Sequence, residues 1–257
     1  MSDYFLHTNM TSTTAWSLIW SVYKSIGTYQ DRGAMYAREP WSGHYAVSPT
    51  IWMYAHWTQV TEPGWRMLLP GNGGGSGVLA DQTSYVTVVS PAVEGFGAVG
   101  NGPFFHPGGS DGAISDFSII VDRLKQRGGD ALLNFYLSGG LPTSKPVYLW
   151  ATCDEESVFV NAGRAQPSSS GVLSVRVPAG CIYSATTLSS VQHGTFKQPP
   201  PPSSPFPLPY SDDFDNYVND TLPRYFADEG GSFTVISAAD GTGVMRQMAP
   251  DNPGPNG

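Results

Sequence analysis

The chain has 257 residues, 40% of them hydrophobic and 12% aromatic, which is enough apolar material to bury a sizeable core in one large domain or two ordinary ones. Only 13% are charged, the formal net charge is -8, and no Lys/Arg cluster occurs, so the basic footprint of a nucleic-acid binder is missing and an anionic partner is disfavoured. No apolar run reaches the roughly 18–20 residues that cross a bilayer, and the opening MSDYFLHTNM lacks a basic start followed by an apolar core, so neither a membrane span nor a secretion signal is expected.

In chain order, TSTTAWSLIWSVYK comes first. Ala15, Leu18, Ile19, Val22 and Tyr23 recur at helical spacing behind a Thr/Ser cluster able to cap, which predicts an amphipathic helix. Gly33 to Ala37 then reads as a short buried strand. It runs into a loop, REPWSGHY, that carries an acid, two aromatics and a histidine, a pattern suited to the carboxyl edge of a barrel strand. Ser48-Pro49 supplies an N-cap with proline at the first helical position, opening a second helix that Glu62-Pro63-Gly64 ends. The expected order over the first 65 residues is helix, strand, helix.

From Gly77 to Leu188 the period changes to two. The runs GVLA, SYVTVVS, DFSIIVD, ALLNFYL, PVYLW, SVFV, VLSVRV and CIYSATTL, separated by Gly/Pro/Asp turns, predict a β-sandwich or barrel of about eight strands. Between them lies GFGAVGNGPFFHPGGSDG. Its glycines lack both the strand-to-helix step and the Lys-Ser/Thr of a phosphate loop, which argues against a nucleotide site. Cys153 and Cys181 fit no zinc spacing, leaving either one disulfide or two buried thiols. Two sequons, Asn9-Met10-Thr11 and Asn219-Asp220-Thr221, are glycosylation acceptors if the chain enters a secretory compartment. The run QPPPPSSPFPLP, Gln198 to Pro209, is a proline-rich boundary reaching at most roughly 37 Å as a polyproline II segment. After it, YSDDFDNY and GSFTVISA open another β region of fewer than fifty residues, too few for an independent core.

Four strings, MTSTTAWSLIWSVY, REPWSGHYAVSPTIWMYAHWTQVTEPGW, SVRVPAGCIYSATTL and PFPLPYSDDFDNY leading to RYFADEGGSF, give the chain its resemblance to the galactocerebrosidase (galactosylceramidase) family of glycoside hydrolases. The resemblance implies a multidomain α/β plus β architecture: the C-terminal remnant of a TIM (β/α)8 barrel at 1–70, a β-sandwich at 71–197, a Pro-rich linker at 198–209 and the truncated start of a lectin-like β domain at 210–257. The chain then corresponds to an internal fragment that enters after the seventh barrel strand. Retaining glycosidases need two carboxyl groups roughly 5 to 5.5 Å apart. The resemblance puts both of the family's catalytic glutamates upstream of Met1, so no catalytic residue is expected in this chain.

The same resemblance assigns Trp16, in the MTST-x-AW motif, to contact with galactose; a packed core indole is the alternative reading of a tryptophan in an apolar helix. Glu39 reads as a structural acceptor for backbone or Tyr/His donors rather than a nucleophile, and Trp41 and His44 either line a pocket rim or lock their loop. Asp213 and Asp215 offer hard oxygens on one side of a strand, and the family's lectin-like domain implies a structural calcium there; a solvated acidic strand start is the alternative. No cofactor for catalysis is expected. One departure stands out. The family places a sugar-binding arginine after an early sandwich strand, whereas no arginine lies between Arg66 and Arg123 here.

The implied function is that of a fragment of a retaining glycosidase acting on the β-galactosyl bond of galactosylceramide-type glycosphingolipids, inactive alone, with a lysosomal or secreted location. A non-catalytic carbohydrate- or lipid-binding sandwich protein is the competing reading.

Overall fold

The computed structural model describes residues 2–8, 10, 12–21, 33–70, 74–91, 104–105, 114–126, 128–195, 197–226, 228 and 231–249. Most of its regular structure is β-sheet, with few helices. Among the described residues no helix is long and apolar enough to cross a membrane. The chain divides into two compact units, Met1–Arg38 with Ala46–Pro199, and Glu39–Tyr45 with Pro200–Gly257.

The first unit opens with helix α1 (Ser2–Thr8), which sequence periodicity did not disclose because seven residues make only two turns. Three short strands follow: β1 (Ile19–Trp20), β2 (Met35–Tyr36) and β3 (Ala46–Val47). β1 and β2 run parallel, and β2 and β3 antiparallel. The helix expected over TSTTAWSLIWSVYK is thus corrected. Residues 12–20 are extended, and Val22 and Tyr23 lie outside the described residues. Threonine, isoleucine and tryptophan favour the pleated state, and three backbone bonds to the next strand reward it: Ala34 N–H to Ser17 O, Met35 N–H to Leu18 O and Ala37 N–H to Trp20 O, at 2.9–3.0 Å. Gly33 is required at this join, since a Cβ there would stand 2.7 Å from the Trp20 Cβ. The expected strand at 33–37 is present, but only Met35 and Tyr36 are paired.

Helix α2 (Pro49–Thr58) forms where Ser48 and Pro49 predict it: the Ser48 hydroxyl accepts from Thr50 N–H at 3.2 Å. It stops at Thr58, before the Glu62-Pro63-Gly64 signal, so the observed order up to that point is helix, three strands, helix.

Beyond α2 come β4 (Arg66–Leu68), β5 (Gly77–Val78), β6 (Ser84–Val89), β7 (Phe104–Phe105), β8 (Phe117–Asp122), β9 (Ala131–Tyr136), β10 (Val147–Thr152), β11 (Val160–Ala165), β12 (Val172–Val177) and β13 (Ile182–Thr186). One sheet runs β11-β10-β13-β8-β6-β4-β7, with β5 beside β6, and β9 and β12 form a separate antiparallel ribbon. The strand expected at SVFV begins instead at Val160, because Phe159 turns inward with φ 45° and is fully buried. The glycine-rich stretch lies outside the described residues except for β7, which pairs parallel with β4.

The middle of the sheet is buried on both faces, while the edge strand β11 is exposed. In β8, Phe117, Ile119 and Val121 face the core shared with Leu133, Leu173 and Val175 of the ribbon, whereas Ile120 joins Val86, Trp150 and Phe159 against Trp57 of α2. That two-sided burial explains why FSIIV and YVTVV read as continuous apolar or small-polar runs rather than strict alternation. A disulfide joins Cys153 to Cys181 where β10 and β13 run side by side.

The polar groups on the α2 face are paired with one another. His56 is fully buried; its Nδ1 lies 2.8 Å from the Ser184 hydroxyl and its Nε2 2.9 Å from that of Thr152. Ser184 donates to the His56 carbonyl at 3.0 Å, and Thr152 accepts from Phe159 N–H at 2.8 Å. One arrangement satisfies all four bonds: Nδ1–H donates to Ser184, and Nε2 accepts from Thr152. The imidazole is therefore neutral, and burial lowers its pKa to about 3.

In the second unit, β14 (Ser232–Ser237) and β15 (Gly243–Ala249) form an antiparallel hairpin, and Thr221 bridges Val235. Gly243 is required by close approach, since a Cβ would overlap the Phe214 carbonyl.

Two outcomes follow from the α2 face. Between pH 3 and 6.5 the unfolded chain binds a proton at His56 that the folded chain refuses, so the stabilisation is complete above pH 6.5 and declines as pH falls. Urea unfolding should show stability about 2 kcal/mol lower at pH 5 than at pH 7, a decline absent in His56→Asn; a parallel decline in both would assign it to other groups. Phe159→Ala, which empties a site walled by Trp52, His56 and Trp150, should cost about 3–5 kcal/mol in the same assay.

Candidate functional site

The loop Glu39–Tyr45 leaves the carboxyl end of β2 and belongs to the second unit. Pro40–Ser42 forms a single 3-10 turn, closed by Gly43 in the left-handed conformation at φ 75°. Within the turn, the Glu39 carbonyl accepts from the Ser42 N–H at 3.0 Å and from its hydroxyl at 2.6 Å.

All three residues singled out in this loop bond to the proline-rich segment. The Glu39 carboxylate accepts from the Ser203 hydroxyl. Trp41 Nε1–H donates to the Ser204 carbonyl at 2.8 Å, and its ring meets Phe206 edge-on at 5.5 Å. His44 Nδ1–H donates to the Pro201 carbonyl at 2.7 Å, which fixes its tautomer. Phe206 continues into a cluster with Tyr210 and Tyr225, whose face is capped by Arg224 at 4.7 Å. The segment from Gln198 to Pro209 is therefore packed rather than a free spacer. Its prolines leave carbonyls without competing N–H partners in the run, and these serve as acceptors. Sequence reading named Glu39, Trp41 and His44 but missed Pro201, Ser203 and Ser204, because proline and serine density signals a linker and says nothing of its docking.

Trp16 is not among these contacts. Its indole is 85% exposed, on the extended segment that enters β1 from the amino end, so it is neither in the first turn of a helix nor a packed core ring. Trp20, four residues further on at the end of β1, is half-buried, and its indole N–H is buried without a partner among the described residues.

A concavity of about 740 Å³ runs along α2 in the first unit, lined by Met35, Val47, Ile51, Trp52, Tyr54 and His193 among others. His193 stacks on Trp52 at 4.0 Å and donates through Nδ1–H to the Gly194 carbonyl at 2.9 Å. The lining is mostly apolar, with no carboxylate among the described residues, and such a groove suits binding.

Five described carboxylates have shifted pKa values, all downward. The Thr83 backbone N–H holds Asp81 low, that of Ser157 holds Asp154, the Tyr217 hydroxyl holds Asp212 and the Thr242 hydroxyl holds Asp240. At Asp116 burial pushes upward, but Lys145 at 2.9 Å and Thr187 at 2.8 Å outweigh it. A glycosidase acid requires the opposite shift.

The two aspartates named for a metal are exposed. Asp215 Oδ1 accepts from Gly243 N–H at 2.6 Å, and Asp213 Oδ1 accepts from Asp215 N–H at 3.2 Å. Asp212 takes the hydroxyls of Tyr210 and Tyr217 at 2.8 and 2.7 Å. Among the described residues no group of three His, Cys, Asp or Glu side chains could hold a metal ion. Calcium takes six to eight oxygens, so these two carboxylates are an incomplete ligand set, each already partly used as a backbone acceptor.

The loop geometry gives one expected outcome. Trp41→Phe keeps the ring contact with Phe206 but removes the bond to Ser204, and should cost about 0.5–1.5 kcal/mol of thermal stability, measured by calorimetry.

Residues 1–59 match Glycosyl hydrolase family 59. Galactocerebrosidase of Mus musculus is 30% identical over 253 residues, covering 91% of this chain and 33% of the relative. The Danio rerio galactocerebrosidase is 29% identical over 98% of this chain and 37% of its own length, and the Homo sapiens one 27% identical over 98% and 36%. A solved glycoside hydrolase family 30 subfamily 8 xylanase from Clostridium acetobutylicum overlays 55% of this chain and 28% of its own at a TM-score of 0.35 and 8% identity, too slight a likeness to build on. By sequence the chain is similar to the galactocerebrosidases over nearly its whole length and to glycosyl hydrolase family 59 over residues 1–59, and it spans about a third of the length of those relatives.

Proposed function

We propose that the chain is the part of a galactosylceramidase-like retaining glycosidase that carries the end of the barrel, the sandwich and the start of a lectin-like domain, and that the intact enzyme hydrolyses the β-galactosyl bond of a glycosphingolipid in a lysosomal or secreted setting. The observation that carries this reading is the family 59 match over residues 1–59, which contains Trp16, Glu39, Trp41 and His44. The parallel pair β1 and β2 is the hydrogen-bonding pattern of consecutive barrel strands, and it supports a barrel remnant at 1–70. In this reading Trp16 offers an exposed aromatic face to the apolar side of a sugar ring. Trp41 and His44 shape the loop that follows β2, and Glu39 anchors that loop.

Both catalytic carboxylates belong to sequence outside this chain, so the chain has no chemistry of its own. A structural calcium on Asp213 and Asp215 has the least support, since two exposed carboxylates supply few of the oxygens the ion needs. The competing reading, a carbohydrate- or lipid-binding sandwich without turnover, draws on the apolar groove along α2.

Purified chain should release no product from an aryl β-galactoside above the enzyme-free rate. Turnover that Glu39→Gln abolishes would overturn the assignment of Glu39 as an anchor and of the chemistry to sequence elsewhere. Galactose should quench tryptophan fluorescence in the chain and not in Trp16→Ala; equal quenching in both would remove Trp16 from the sugar site.

A further inference from the structure

We propose that Asn219 is an N-glycosylation site, an inference independent of the glycosidase reading. The triplet Asn219-Asp220-Thr221 meets the acceptor rule, with aspartate rather than proline in the middle. The structure shows what the rule does not: the triplet forms a turn that presents the asparagine.

Asp220 sits in the left-handed conformation at φ 65°, which short polar side chains tolerate. Backbone bonds hold the turn to β14: Asp220 N–H donates to the Val235 carbonyl at 2.9 Å, and Val235 N–H to that of Thr221 at 2.8 Å. All three triplet residues are exposed. The Asn219 Oδ1 accepts from the Ser237 hydroxyl at 3.1 Å, which orients the amide. Its Nδ2, the atom that takes the sugar, donates to nothing among the described residues.

The step is an exchange at that nitrogen. Nδ2 forms a bond to the anomeric carbon of an oligosaccharide carried on a lipid-linked diphosphate; the carbon–oxygen bond to the diphosphate breaks, the diphosphate leaves with the electron pair, and Nδ2 gives up one proton. The product amide keeps its Oδ1, so the bond from Ser237 survives the modification. Val218 and Leu222, 76% and 44% exposed, flank the triplet, and an attached sugar covers apolar surface that otherwise faces water.

A second observation supports an oxidising compartment. Cys153 and Cys181 are joined, and such bonds persist in the oxidising compartments where acceptor asparagines meet this donor. The other sequon, at Asn9, lies outside the described residues.

The test is peptide mass mapping of the full chain, directed into the secretory pathway of a eukaryotic host. Trypsin cleaves after Lys197 and Arg224, which isolates Asn219 on one peptide. That peptide should appear at its unglycosylated size only after peptide-N-glycosidase treatment, with Asn219 converted to aspartate. Asn219→Gln should abolish the shift, and Thr221→Ser should retain it. An unmodified Asn219 peptide from wild-type protein in which the disulfide has formed overturns the proposal, as does a glycan found at Asn9 alone. Because the decisive map is made on wild-type protein, a variant that folds poorly does not blur the answer.

Discussion

The pairing of a neutral, fully buried His56 with Ser184 and Thr152 is the constraint on which the first unit depends. It ties α2 to the neighbouring strands β10 and β13, on the sheet face opposite the ribbon. An unpaired imidazole there would carry the desolvation cost of a buried polar group. Because each hydroxyl is itself committed, to the His56 carbonyl and to Phe159 N–H, the cluster works as a unit and sets the register of helix against sheet. Aromatic packing then closes around it. Phe159 lies edge-on to His56 at 4.9 Å and stacks on Trp150 at 4.9 Å, so the polar cluster sits within an apolar wall.

The second unit is organised by different means. Its core is small, and the hairpin β14–β15 exposes most of one strand. Order comes from side chains acting on backbone: Asp215 on Gly243, Asp212 on Phe214, Trp41 on Ser204 and His44 on Pro201. The carboxylates that look like metal ligands in the sequence are used here as backbone acceptors. The same oxygen can serve either purpose, and a run such as SDDFD does not say which.

Much of the candidate site was legible as residue types. REPWSGHY stands out as a loop loaded with polar and aromatic groups, and its likeness to a known family singles out Trp16. What the sequence withheld was the partner of each group. Glu39, Trp41 and His44 find theirs more than a hundred and fifty positions away, a separation no local pattern encodes. The misread helix at TSTTAWSLIWSVYK has a related cause: apolar spacing alone cannot tell a helical face from a strand whose hydrogen-bond partner lies further along the chain.

From sequence alone came the Ser48-Pro49 cap, most of the strands between Gly77 and Leu188 and the likeness to the galactocerebrosidases, because these rest on local backbone chemistry, period and matched strings. Tertiary structure alone decided the inward turn of Phe159, the pairing of Cys153 with Cys181, the docking of the proline-rich run and the neutral state of His56. Each of these depends on which groups are brought together once water is excluded, and burial and pairing are properties of the folded chain as a whole.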